Sequence, residues 1–111
     1  MEFTDAVRMR IYCGESDKAG GRPLYEEIVL RARRAGLAGA TVMRGPMGYG
    51  LRSVVHTAKV LRLSEDLPIV VELIDSPPSI ERFIDDCGSL LSNVLVTLDS
   101  VRASRRTAPS A

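Results

Sequence analysis

The 111-residue chain contains no tryptophan, only 5% aromatic residues, one histidine, two cysteines and one asparagine, and each scarcity removes a class of function. RNA recognition through an open sheet needs aromatic faces on which bases can stack, and here only Tyr12 projects from the first strand. Cys13, Cys87 and His56, widely spaced, are too few to hold a structural zinc ion within one chain. Metal sensing would require three copies of His56 to meet on an oligomer axis. The cysteines form no CxxC pair and no dense framework; a bridge stays open from sequence, and both read as small buried residues. The formal charge is +1, from 15 Lys and Arg against 14 Asp and Glu, so there is no electrostatic footprint for bulk binding to nucleic acid or an anionic membrane. No apolar run reaches the length that spans a bilayer, and Met1–Arg10 lacks the form of a signal peptide, which points to the cytoplasm.

What is present is a clear alternation of elements. Val7, Met9, Ile11 and Cys13 alternate with Arg8, Arg10 and Tyr12, the period-two mark of a half-buried strand. A polar, glycine-bearing connection, GESDKAGGR, leads to Pro23, which suits the first turn of a helix. Leu24, Ile28, Ala32 and Ala35 repeat at helical spacing, Glu27 precedes Arg31 by four, and Gly36 stands where a left-handed cap belongs. Ala40–Arg44 reads as a second strand stopped by Gly45-Pro46. From Gly45 to Asp66 the pattern fits a strand and a helix equally, and a long excursion in so small a domain is more often functional than filler.

Leu67–Asp75 is the strongest strand. Ile69, Val71 and Leu73 occupy one face and Val70, Glu72 and Ile74 the other, so its second face also asks for cover, as a partner subunit would give. Ser76 opens a second helix as N-cap, with Ile80, Phe83, Ile84 and Cys87 inward and Gly88 at its close. Val94, Val96 and Leu98 mark a fourth strand, the domain extends over 1–101, and a basic tail follows over 102–111. The order strand, helix, strand, strand, helix, strand is the α+β, ferredoxin-like βαββαβ arrangement: an antiparallel four-stranded sheet backed by two helices.

With the elements placed, the blocks YCGESDK (12–18), RPLYE (22–26), AGLAGATV (35–42), Arg44-Gly45, GYG (48–50) and LSEDLP (63–68) closely resemble the family known as domain of unknown function 190. The resemblance covers roughly Val7–Val101. It implies kinship with the PII signalling proteins: a homotrimer with ligand sites in the clefts between subunits, a long effector loop (the T-loop) rising from a Gly-aromatic-Gly turn as at Gly48-Tyr49-Gly50, and arginines after the fourth strand that reach nucleotide phosphates, which draws in Arg102, Arg105 and Arg106. Two departures stand out. Gly88–Asn93 holds no lysine and little glycine where PII proteins carry a phosphate loop, and no tyrosine occurs from Leu51 to Leu67, so loop uridylylation is unavailable and Ser53 and Ser64 are the only serine hydroxyls in that span.

The residues themselves support several readings. Gly45, Gly48 and Gly50 permit close backbone approach, so their amides can form an anion-binding concavity flanked by Arg44 and Arg52, or can simply shape a turn. Glu15, Asp17, Lys18 and Arg22 make a charged first loop that can meet a ligand or stay a solvated ion-pair surface. His56, with Lys59 and Arg62 at three-residue spacing, can be a pH-sensitive contact or an ordinary surface histidine. No nucleophile dyad accompanies the acids, so no catalytic residue and no cofactor is assigned. The expected activity is regulatory: a small anionic ligand, an adenine nucleotide favoured, bound by Glu15, Lys18, Arg44, Gly45, Gly48, Tyr49, Gly50, Arg52, Arg102 and Arg105, with occupancy signalled through residues 45–66 to a membrane transporter or regulated enzyme. The alternatives are a small enzyme on the same scaffold, for which an arginine beside Asn93 would be the sign, and a metal-sensing trimer.

Overall fold

The structure is a computed structural model, and it describes residues 1–48 and 67–105. The first strand, β1, runs Thr4–Gly14, three residues further back than its alternation predicts. Met9 and Ile11 are fully buried on the face expected to be inward, and Arg8, Arg10 and Tyr12 point the other way. The connection that follows is ordered as a small ribbon, β2 (Lys18–Ala19) paired with β3 (Arg22–Pro23), turning at Gly20-Gly21. Pro23 is both the end of that ribbon and the residue that caps helix α1, Leu24–Arg34.

Helix α1 buries Leu24, Ile28 and Ala32, while Ala35, the last of the expected stripe, lies past the helix and is exposed. Gly36 takes φ +75° there, and Leu37 N donates back to Ala32 O at 3.1 Å, which closes the helix in the left-handed manner the sequence forecasts. Strand β4 (Ala40–Arg44) and strand β5 (Pro68–Asp75) then pair antiparallel. Ser76 caps helix α2 (Pro77–Cys87), its hydroxyl accepting from Ser79 N at 3.4 Å, and Ile80, Phe83 and Cys87 go inward. A short 3₁₀ turn, Gly88–Leu91, precedes the last strand, β6, Leu95–Ala103.

The four long strands form one antiparallel sheet in the order β4-β5-β1-β6, with α1 and α2 on one side, which is the ferredoxin-like arrangement. Its core is Met9, Ile11, Ile28, Ile69, Val71, Leu73, Ile80 and Phe83 with their neighbours, all between sheet and helices. Strand β6 continues two residues beyond Val101, because Arg102 and Ala103 still pair with Asp5 and Thr4. Among the described residues no helix is long and apolar enough to cross a membrane.

The other face of the sheet has no helix over it among the described residues, and its side chains are arranged in rows, since residues directly opposite share a face. One row crosses all four strands as Met43, Val70, Tyr12 and Leu95, with Met43 42% and Leu95 62% exposed. The next is Thr41, Glu72, Arg10 and Thr97, where Arg10 Nε donates to Glu72 Oε2 at 3.0 Å. In the third, Arg8 meets Asp99 at 3.2 Å. An apolar band therefore adjoins a band of matched charge.

Candidate functional site

Among the described residues, the expected ligand residues fall into two groups, with Lys18 apart from both. The first gathers where β4 ends and β5 begins. Arg44 Nη2 lies 3.2 Å from Glu15 Oε1, Glu15 N donates to Leu67 O at 2.8 Å, and Gly45 N donates to Pro68 O at 2.8 Å. These bonds tie the first loop and both strands at the points where residues 49–66 leave and return. Gly45 is needed there for space: a Cβ on it would stand 2.9 Å from Pro68 Cγ. Its amide is already committed to Pro68, so its contribution is close approach of the strands rather than a free donor for an anion. Among the described residues of this group the cation is Arg44, whose side chain is 53% exposed. Tyr49, Gly50, Arg52, Ser53, His56, Lys59, Arg62 and Ser64 lie outside the described residues, as does Arg106.

The second group is at the opposite end of the sheet. Arg102, in β6, donates from Nη2 to Phe3 O at 3.3 Å, and Arg105 Nη1 lies 3.8 Å from Asp75 Oδ2. A hollow of about 1160 Å³ opens beside them, bounded by Thr4, Ala38–Thr41, Ile74 and Arg105. Asp75 is the residue that sequence reasoning missed. It ends β5 with a side chain only 10% exposed, and its carboxylate accepts from Ala38 N at 2.8 Å and Ser76 N at 2.7 Å while facing Arg105. The one readable signal was its position, an acid at the last strand residue, immediately before a helix N-cap.

Arg44 is level with Ile69 and hence with Cys13 on β1, whereas Arg102 is level with Asp5. About eight residues of extended strand separate those levels, ~26 Å at the usual rise. One chain does not bring the two groups together. Lys18 belongs to neither: it lines a separate hollow on the helix side, of about 520 Å³, together with Asn93. Asn93 thus stands apart from the hollow at the Arg105 end, and Arg44 lines neither. Among the described residues, no three His, Cys, Asp or Glu side chains are grouped to hold a metal ion.

The hydrogen bond to Glu72 raises the pKa of the Arg10 guanidinium above its ordinary value. Burial pushes the Cys87 thiol up, with Arg31 opposing and Asp86 reinforcing the shift.

Comparison with known proteins bears on the family and the fold. The model of the family DUF190, described as "Uncharacterized ACR", matches residues 6–103. A UPF0166 protein of Aquifex aeolicus is 38% identical over 93 residues, covering 84% of this chain and 88% of the relative. One from Methanocaldococcus jannaschii is 35% identical over 85 residues, covering 77% and 78%. Among solved structures, CPII of Thiomonas intermedia K12 bound to ADP and bicarbonate superposes with a TM-score of 0.68 at 14% identity, over 94% of this chain and 93% of that one. A protein described as PII-like signaling, from Thermus thermophilus, gives 0.63 at 18% identity, over 95% of each. The fold is therefore PII-like.

Proposed function

This chain belongs to the DUF190 family, and from that premise we propose that it is a PII-like regulatory protein of the cytoplasm rather than an enzyme. It binds an adenine nucleotide, alone or with a small anion, between copies of itself, and it reports occupancy through residues 45–66 to a partner such as a membrane transporter or a regulated enzyme. The observation that carries this reading is the separation of the two arginine groups. Arg44 and Arg102/Arg105 sit at opposite ends of β1, yet both are exposed guanidiniums suited to phosphate. Copies set so that one chain's Arg44 end meets its neighbour's Arg102/Arg105 end, as in a ring such as a homotrimer, bring the two groups into one cleft. The uncovered sheet face supplies the surface for that assembly. CPII, a neighbour in fold, was solved with ADP and bicarbonate, which supports the choice of ligand class.

The ligand has a direct route to the loop. Phosphate oxygens at Arg44 compete with Glu15 for its guanidinium, and Glu15 is bonded in turn to Leu67 at the loop's return. Occupancy then favours the loop arrangement in which Arg44 has left Glu15, a population shift driven by differential contact. The segment Gly88–Asn93 contains a 3₁₀ turn and no lysine, so the site favours a monophosphate or diphosphate over a triphosphate. Isothermal titration of the assembled protein with AMP, ADP, ATP and cyclic nucleotides tests this: saturable binding strongest for AMP or ADP is expected. Silence toward every nucleotide from an intact oligomer removes the nucleotide from the proposal.

A further inference from the structure

The hollow on the helix side shares no lining residue with the one at the Arg105 end. Its volume of about 520 Å³ lies in the usual range for small-molecule sites. The walls are the β2–β3 ribbon, α1 and the segment from Ser89 to Val94.

The charges in it are unevenly satisfied. Asp17 is engaged locally, its carboxylate accepting from Gly14 N at 2.9 Å and its carbonyl from Leu24 N at 2.8 Å. Glu27 is not. Its side chain is only 16% exposed, and Oε1 and Oε2 lie 3.9 Å from Arg22 Nη1 and 4.0 Å from Arg31 Nε, attracted but beyond hydrogen-bond reach. Oε2 is fully covered and accepts no hydrogen bond among the described residues. A carboxylate oxygen withdrawn from water without a donor is unfavourable, so the site lacks one N–H or O–H donor. Arg31 and Lys18 stand on the same walls as available cations.

This set discriminates by charge. A bare anion meets Glu27, and a bare cation meets Lys18 and Arg31. A molecule carrying both signs satisfies each in turn, and Leu24 and Leu90 offer an apolar wall to an aliphatic portion. We propose that this hollow binds a small zwitterion of the α-amino-acid class, its ammonium drawn to the Glu27 carboxylate and its carboxylate held by Arg31 and Lys18. Asn93 at the wall supplies a donor and an acceptor for the ligand's side chain. None of Arg44, Arg102 and Arg105 lines this hollow. It reaches the loop root through the first loop, since Asp17 bonds Gly14 and the next residue, Glu15, holds Arg44.

The test is calorimetric titration of the full chain, without nucleotide, against each of the common amino acids. One or a few should bind saturably at micromolar to millimolar concentration. The corresponding amine without the carboxylate, and acid without the amine, should each bind at least about tenfold more weakly. Glu27→Gln should weaken binding by about tenfold or more, and Ser89→Trp, adding bulk from an exposed wall position, should abolish it with the unfolding temperature unchanged. Should Glu27→Gln not fold, Ser89→Trp decides. The proposal is overturned if no amino acid binds at millimolar concentration, if the half-ligands bind equally, or if Ser89→Trp binds as the native chain does. Nucleotide titrations of the same samples fail or succeed separately, so the two readings are distinguishable.

Discussion

Arg10 and Glu72 stand directly opposite each other on β1 and β5, joined at 3.0 Å in the middle of the sheet face that no helix covers among the described residues. If neighbouring copies close over that face, removing one partner leaves the other buried and unmatched, which is far worse than removing both. Glu72→Ala is therefore expected to shift the assembly toward monomer. The double variant Arg10→Met/Glu72→Met, which extends the apolar band, should remain assembled. Light scattering after gel filtration reads both. A face open to solvent would show no difference between them, because exposed pairs contribute little.

The division of the arginines between two ends can be tested by mixing. Arg44→Ala and Arg105→Ala should each weaken nucleotide binding by about tenfold or more, the scale of a lost charge-assisted hydrogen bond. Combined one to one in the same oligomers, each variant supplies the end its neighbour lacks. About one quarter of the clefts in a randomly mixed ring should then regain native affinity. A site built within one chain would recover none, and titration stoichiometry separates the outcomes.

The Cys87 thiol supplies a pH signature. Burial raises its pKa in the folded protein above the ordinary 9.0, so the folded chain keeps a proton that the unfolded chain releases. This contribution to stability is complete below about pH 9 and declines as pH rises through the raised value. Urea unfolding measured from neutral to alkaline pH should show that decline in the native protein. Cys87→Ala should show a smaller one, offset by the loss of a sulfur from the core.

Two glycines separate backbone strain from packing. At Gly36, with φ +75° and no atom within 4 Å of where an added methyl would sit, alanine should cost about 1 kcal/mol through the left-handed backbone alone. At Gly45 the same change drives a methyl to 2.9 Å from Pro68. That overpacking should cost about 1–3 kcal/mol and, unlike Gly36→Ala, should also alter nucleotide affinity by moving Arg44. Denaturant melts together with calorimetry distinguish the two.

Much of the fold was legible because local pattern and tertiary position agree in it. The alternation in Val7–Cys13, the stripe from Leu24 to Ala32, and the caps at Gly36, Ser76 and Gly88 all report burial or backbone geometry that a short window of sequence encodes. The β2–β3 ribbon was hidden inside GESDKAGGR, since strands of two residues have no period to read. The reach of β6 past Val101 was hidden for a different reason: Ser100 and Arg102 are polar, and their strand conformation comes from pairing with Thr4–Val7, about a hundred positions away. The candidate site could be nominated by residue type but not located. Arg44, Arg102 and Arg105 are of a type suited to anions, whereas their placement at opposite ends depends on strand register. The demotion of Gly45 from amide donor to spacer depends on one bond to Pro68.

The layout of β1 also bears on inheritance. In a ring where each chain lends its Arg44 end to one cleft and its Arg105 end to another, a copy defective at both ends disables two clefts, not one. A cell making equal amounts of sound and defective chains would therefore lose more than half of its response, and such an allele would behave as dominant.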